Sequence, residues 1–519
     1  MMKRRILAAV CCVTLLIAGT GCGRFGENKA SHRNLRLMVN YFDYSKHDYS
    51  LQSGSGCYLQ CNGTTIHCTE ETARIYPKLA EALDKDAAET VDLAKAFSDE
   101  MDEEAHEFMR DGASGFYVET VQSAVKRADE KAVSIASEWY SYMGGAHGAG
   151  VYTARNIDPV TGEEIRLSDV VKDKQMLDEL LLARFRELYP DMSFLEWDEP
   201  FGNYDINITK NNDESNAYTF TLDPDGLSFY FSAYELGSYA EGRQVVKLLY
   251  RDSPTLFVKD YAVSGGYASG LIGYERYDLG GDGTADEIGY YCINDEFNPA
   301  SAYEKIYVEK NGQELDFNLH CYSVETFLMH TEDNRDYLYV IAHMVNDESC
   351  LHIYDLSGEK FTLAEEEAYG LPHADWEEED LYGYELITDS DDFVLTFRCD
   401  LLATFNAYFN TSVGPDGRPL LPEDGYYDVP DNVSTLHSAV PLKADIVNEK
   451  GKVVKKNVTI PAGKTFKLLR TDGEKTVDAR LADGRIARLE LTRSDDNPTA
   501  IVNGQISEEE AFKELFYGG

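Results

Sequence analysis

The sequence predicts a mixed chain in three parts: an α+β N-terminal half, an all-β middle region and a small β-barrel at the C-terminus. Three observations predict it. Apolar residues recur at helical spacing between 70 and 110 and give way to alternating strands. Short strands broken by frequent turns fill 256–435. Four strand-length runs separated by tight turns crowd into 436–519. A length of 519 residues calls for several domains, since about 100–200 residues per domain is usual. A hydrophobic share of 43% supports packed cores rather than disorder.

The first elements concern export. Lys3, Arg4 and Arg5 precede an apolar run from Ile6 to Ala18, and Gly19-Thr20-Gly21 supplies small residues before Cys22. This is the pattern of a secretory signal, and it resembles a bacterial lipobox with Gly19 where Leu is commoner. The resemblance implies cleavage after Gly21 and a lipid on the Cys22 thiol, with more than one acyl chain needed for stable anchoring. The apolar run is shorter than the roughly 20 residues of a membrane span. The expectation is a signal peptide at 1–21, a polar tether at 22–34, and a chain held to the extracytoplasmic face of the membrane.

Charge narrows the partners. Lys and Arg number 48 against 92 acids, a net −44, and loss of the three signal-peptide cations makes the balance more negative still. Such a surface repels nucleic acid and favours cations and cationic proteins, with attraction screened beyond about 8–10 Å at physiological salt. Beyond the signal and Cys22, seven cysteines remain: Cys57, Cys61, Cys68, Cys292, Cys321, Cys350 and Cys399. An odd number excludes complete pairing. A local bridge among Cys57, Cys61 and Cys68 is one reading; zinc is a weaker one, because only His67 lies nearby. The other four sit in strand-like runs and read as buried thiols.

Along 35–149, Leu35 to Tyr44 reads as a strand. The stretch from Glu70 to Arg110 reads as helix, through Ile75, Leu79 and Leu83 and then Val91, Phe97, Met101 and Phe108. Pro77 fits near a helix start. Phe116 to Lys126 and Ala132 to Tyr142 read as strands joined at Ala128-Asp129-Glu130. A second α+β unit is expected over 150–255. There Ser168 or Asp169 reads as the N-cap of a helix ending near Leu188, and Leu227 to Phe231 reads as a strand.

Three runs stand out in order: Gly144-Gly145-Ala146-His147-Gly148; Asp158-Pro159-Val160-Thr161-Gly162 with Glu163-Glu164-Ile165-Arg166-Leu167-Ser168-Asp169; and Phe229-Tyr230-Phe231 with Tyr234-Glu235-Leu236 and Tyr239-Ala240-Glu241-Gly242. Together they resemble the paired extracellular domains of the RsiV-type anti-sigma factors, also attached to some PdaC-type peptidoglycan deacetylases. The resemblance covers about 35–255. It implies ligand binding, since the anti-sigma member is a lysozyme receptor. It does not imply signalling, because Cys22 stands where that family has a cytoplasmic segment and a membrane helix.

In 256–435, Tyr337 to Ile341 and Leu351 to Lys360 read as two strands of a propeller blade. At about 40–45 residues per blade the region holds too few for a closed ring, so a partial propeller and a β-sandwich both stand. In 436–519, Val440 to Asn448, Lys464 to Leu469, Thr476 to Leu481 and Ile486 to Leu491 resemble an SH3-like barrel, with turns at Pro461-Ala462-Gly463 and Thr471-Asp472-Gly473. The resemblance implies wall or ligand binding only loosely. A closing helix from Glu508 to Phe516 is expected, capped by Ser507.

One loop could hold a cation. In Asp278-Leu279-Gly280-Gly281-Asp282-Gly283-Thr284-Ala285-Asp286, carboxylates at positions 1, 5 and 9 and the Thr284 carbonyl at 7 surround a glycine at 6. That pattern converges hard oxygens on calcium. Gly280 leaves position 3 without a ligand, and Gly289 at position 12 excludes an EF-hand. Structural Ca2+ on Asp278, Asp282, Thr284 and Asp286 stands beside the alternative of a turn that binds nothing. The eleven histidines never fall closer than nine residues, so paired-histidine metalloenzyme motifs are absent. His147 reads as a structural residue holding its turn rather than a catalyst. No Gly-x-Ser-x-Gly elbow occurs. With 92 acids, chance carboxylate pairs neither assign nor remove a glycosidase.

The expectation is therefore a non-catalytic surface lipoprotein that binds an extracellular macromolecule, either a cationic lysozyme-type protein or a cell-wall component. A wall polysaccharide hydrolase or deacetylase and a structural peptidoglycan-binding protein are the alternatives.

Overall fold

A computed structural model describes residues 34–50, 56–111, 115–195, 199–209, 216–259, 261–294, 302–344, 348–358, 362–373, 382–433, 435–494 and 497–518. Cys22 and the signal segment lie outside them. The chain is mostly β, with 47% strand against 16% helix, and the long helices fall in the N-terminal half.

The first sheet runs in the order Tyr382–Glu385, Leu37–Asp43, Cys57–Cys68, Tyr117–Ala128, Val133–Tyr142, Ala149–Ile157, with Lys46–His47 pairing off Cys57–Cys68. Cys57–Cys68 and Tyr117–Ala128 pair in parallel because two helices, Glu70–Ile75 and Pro77–Arg110, carry the chain back between them. The helical run breaks at Tyr76, where Pro77 opens the second helix at a position whose missing N–H costs nothing. Ile75 is consequently exposed. Beyond it Leu79, Leu83, Ala87, Ala94 and Ala105 form the buried stripe, and the alanines let the helix lie close on the sheet.

The next unit places helix Lys174–Leu188 against a three-stranded antiparallel sheet, Phe220–Leu222, Gly226–Phe231 and Gln244–Leu249. Leu177, Leu181 and Phe185 meet Phe229 and Phe231 in its core. The helix is capped by Asp173, which accepts from the Gln175 N–H at 2.9 Å, and not by Ser168 or Asp169. Those two lie in a separate single turn, Leu167–Val170, that ends when Val171 turns extended.

In the middle region a five-stranded sheet (Tyr267–Gly270, Ser323–His330, Asp336–His343, Ser349–Asp355, Thr362–Glu367) packs face to face on a four-stranded one (Tyr274–Tyr277, Asp286–Asn294, Tyr303–Lys310, Gln313–Cys321). Leu328, Leu338 and Val340 point toward the four-stranded sheet. Phe327, Met329, Tyr339 and Ile341 point the other way, into a core shared with Leu37, Val39 and Tyr384. Strand Asp336–His343 is therefore buried at every position, which is why its apolar run shows no alternation.

Strands Phe393–Asp400, Thr404–Thr411 and Tyr427–Asp428 join the C-terminal strands in one twelve-stranded sheet. No closed barrel is found among the described residues. The closing helix is one turn only, Glu508–Ala511, capped by Ser507. It stops because Phe512 turns extended, packs on Phe466 and pairs beside Ser438.

Candidate functional site

A cavity of about 800 Å³ opens where the first sheet meets the two middle sheets. Its floor is built by strand register. Ser323 lies opposite His343, and Glu325 lies two residues along on the same face. That face continues into the apolar core as Phe327 and Met329, so Ser323, Glu325 and His343 are its polar end. Tyr41 from strand Leu37–Asp43 and Tyr384 from strand Tyr382–Glu385 cover them. The Tyr41 hydroxyl donates a short hydrogen bond to Glu325, and the His343 ring stacks on Tyr384 with centroids 3.7 Å apart.

Burial sets the charge states. Desolvation pushes the Glu325 carboxyl up to about 7, against the opposing hydrogen bond from Tyr41. Desolvation and the neighbouring His373 pull the His343 imidazole down to about 3, so it is neutral. His343 Nδ1 sits 3.1 Å from Ser349 Oγ, while its buried Nε2 has no hydrogen-bond partner among the described residues. Tyr274, Tyr290, Tyr291, Tyr303, Tyr322 and Tyr382 complete an aromatic wall, with the amides of Gln60, Asn62 and Gln122 among them. Neither Glu325 nor His343 stood out in the sequence reading. Their one signal is a carboxylate and an imidazole set inside otherwise apolar strand runs.

A second constellation joins two of the runs singled out above. The His147 ring stacks on Tyr239 with centroids 3.7 Å apart, and Tyr234 lies against Tyr239 at 5.4 Å. His147 Nδ1 also lies 2.9 Å from the Gly148 carbonyl. Tyr140 packs so close to Gly148 that a Cβ there would lie 2.4 Å from its hydroxyl. Tyr234 holds φ at +69°, a region bulky residues rarely adopt, and the residue is 59% exposed. Met143 and Val151 are exposed as well.

The carboxylates of the loop proposed for calcium have partners both within the loop and outside it. Asp278 accepts from the Gly283 N–H at 2.9 Å and pairs with Arg251. Asp282 accepts from the Thr284 N–H at 2.7 Å, and Asp286 accepts from Asn311 at 2.6 Å. Among the described residues no group of three or more His, Cys, Asp or Glu side chains is arranged to hold a metal. The seven cysteines are free thiols. Cys57 and Cys61 sit on one extended strand, four residues and about 13 Å apart at some 3.3 Å per residue, too far for a bridge. Burial pushes both thiols up to about 12. No helix among the described residues is long and apolar enough to cross a membrane.

Comparison with known families then assigns the unit around helix Lys174–Leu188. Its residues match the model of a family described as a protein of unknown function (DUF3298), over 166–251. Residues 166–251 are a DUF3298 domain. Two solved DUF3298-family structures are similar to the chain. One, from Bacteroides fragilis, is 18% identical with a TM-score of 0.32, covering 44% of this chain and 96% of its own. The other, from Pseudomonas aeruginosa, is 15% identical with a TM-score of 0.29, covering 45% and 97%. No curated protein matches. The DUF3298 domain contributes Tyr234 and Tyr239 to the aromatic platform, and Arg243, ion-paired with Glu138, to the cavity wall.

Proposed function

We propose that the protein is a non-catalytic, lipid-anchored surface protein that binds a cationic extracellular protein of lysozyme type, tethered through Cys22 on the outer face of the membrane. The observation that carries the reading is the platform in which His147 stacks on Tyr239 with Tyr234 beside it. It sets exposed aromatic rings and Met143 on a chain of net charge −44. Tyrosine and methionine are enriched where proteins dock, and rings of this kind act as anchors. The acidic surface would steer a cationic partner and lend salt dependence to the encounter.

The test is titration of the ectodomain, from Cys22 onward without lipid, with a cationic lysozyme at low and moderate ionic strength. Binding should appear and weaken as salt rises. Tyr239→Ala should lower affinity about tenfold or more, as truncation of an aromatic anchor commonly does. Absence of binding at both ionic strengths would remove the reading.

A further inference from the structure

The cavity over Glu325 is a separate feature, and the proposed docking platform makes no use of it. A buried carboxyl ordinarily has a cationic partner or a set of hydrogen-bond donors. Glu325 is half-buried and accepts one hydrogen bond among the described residues, from Tyr41, and no Lys or Arg among them forms an ion pair with it. The one cation in the described lining, Arg243, is already paired with Glu138. Beside Glu325 on the same strand face, His343 is 4% exposed and keeps an unpartnered Nε2. Each group lacks a complement, and both line a space large enough for a small molecule. The remaining lining mixes tyrosine hydroxyls and faces, amides and hydroxyls with the carboxylates of Asp43 and Glu138 and apolar side chains such as Phe42 and Leu271, a surface that can stack on and hydrogen-bond with a polyol.

We propose that this cavity binds a small polyhydroxylated amine, such as an amine-bearing sugar, with its ammonium on Glu325 and a ring hydroxyl on His343 Nε2. The ammonium supplies the charge that Glu325 lacks. Tyrosine faces at the mouth, including the stacked Tyr41 and Tyr382 pair, favour a cation through their ring quadrupoles as well as the sugar's C–H face. A neutral sugar would satisfy His343 and leave the carboxylate unmatched. An anionic sugar would meet Asp43, Glu138 and Glu325 on the walls.

The experiment compares 6-amino-6-deoxyglucose with glucose, which share a ring and differ in an ammonium against a hydroxyl. Each is titrated by ligand-observed NMR into the lipid-free chain at pH 8, where Glu325 is ionised and an alkyl ammonium remains charged. The amino sugar should bind at least tenfold more tightly than glucose. Glu325→Gln, which keeps the shape and the Tyr41 hydrogen bond, should bring the two affinities together. His343→Phe, which keeps the stacked ring and removes Nε2, should weaken both sugars alike. Cooperative melting of each variant shows that it is folded. Equal affinity of the parent for the two sugars would overturn the proposal. So would a preference that survives Glu325→Gln, or no saturable binding of either sugar, which would leave the cavity to water.

Discussion

Glu325 titrates where few carboxylates do, and its stability consequence has a definite sign. Its folded value, raised to about 7 by burial, lies above the value near 4.3 expected in an unfolded chain. The fold therefore favours the protonated form. That contribution is fully present below about pH 4.3 and is lost as pH rises through about 7. Gln cannot ionise and can still accept from Tyr41. Glu325→Gln should match the parent in urea unfolding at pH 4 and exceed it at pH 8. At about 1.4 kcal/mol per pKa unit, the gap should reach up to about 4 kcal/mol. A pH-independent difference would mean that Glu325 is ionised throughout. The conflict with local rules is the informative part: a carboxylate in an apolar strand is where sequence-level reasoning is expected to fail at a functional position.

At the scale of the element, the loop Asp278–Asp286 sets a motif read from spacing beside neighbours that spacing does not display. The sequence displayed three carboxylates around a glycine but could not display Arg251 or Asn311, which arrive from other strands and loops to occupy Asp278 and Asp286. A calcium ion would have to displace a guanidinium to gain Asp278 as a ligand. Calcium at about 1 mM and a chelator should accordingly give the same melting temperature. A rise of more than about 2 °C with calcium would show that Arg251 yields. Local elements were legible in the same way that this loop was. The long helix and the strands flanking Ala128-Asp129-Glu130 follow from periodicity and turn chemistry, and the runs that form the platform stood out through their resemblance to a known family. Long-range partners were not. Strand Tyr382–Glu385 joins the first sheet across more than 300 residues of chain. Only a glycine at position 383 permits this, because a Cβ there would lie 2.3 Å from the Val39 carbonyl oxygen. The cavity is made by that joining, so neither Tyr384 nor Glu325 could be seen as a site before the sheets were assembled.

For the whole molecule, the units read from the sequence meet over a buried charge cluster. Lys126 of the first sheet is fully buried. It donates to the Gly270 carbonyl at 2.6 Å and pairs with Glu275 of the middle region. Lys247 of the DUF3298 domain, also buried, pairs with Asp223 at 3.0 Å and Asp225 at 2.6 Å. The Tyr277 ring lies 3.9 Å from Lys247 Nζ and 5.1 Å from Lys126 Nζ. Burial by itself would push Asp223 up, yet Lys247 and Lys126 hold it below the usual carboxylate range; Glu275, with burial dominant, is raised. Such a cluster adds little net stability compared with apolar residues of the same shape, but removing one member strands a charge. Lys126→Met should therefore cost about 3–5 kcal/mol in urea unfolding. Adding Glu275→Gln removes the stranded charge while keeping the acceptor that the Ile272 N–H uses at 3.0 Å, and should recover at least half of that loss. If the double variant were as unstable as Lys126→Met alone, the loss would come from the lysine's packing and its bond to Gly270. The three units would then be held together by their apolar contacts, through Ala124, Tyr152, Tyr230 and Ile272, rather than by matched charge.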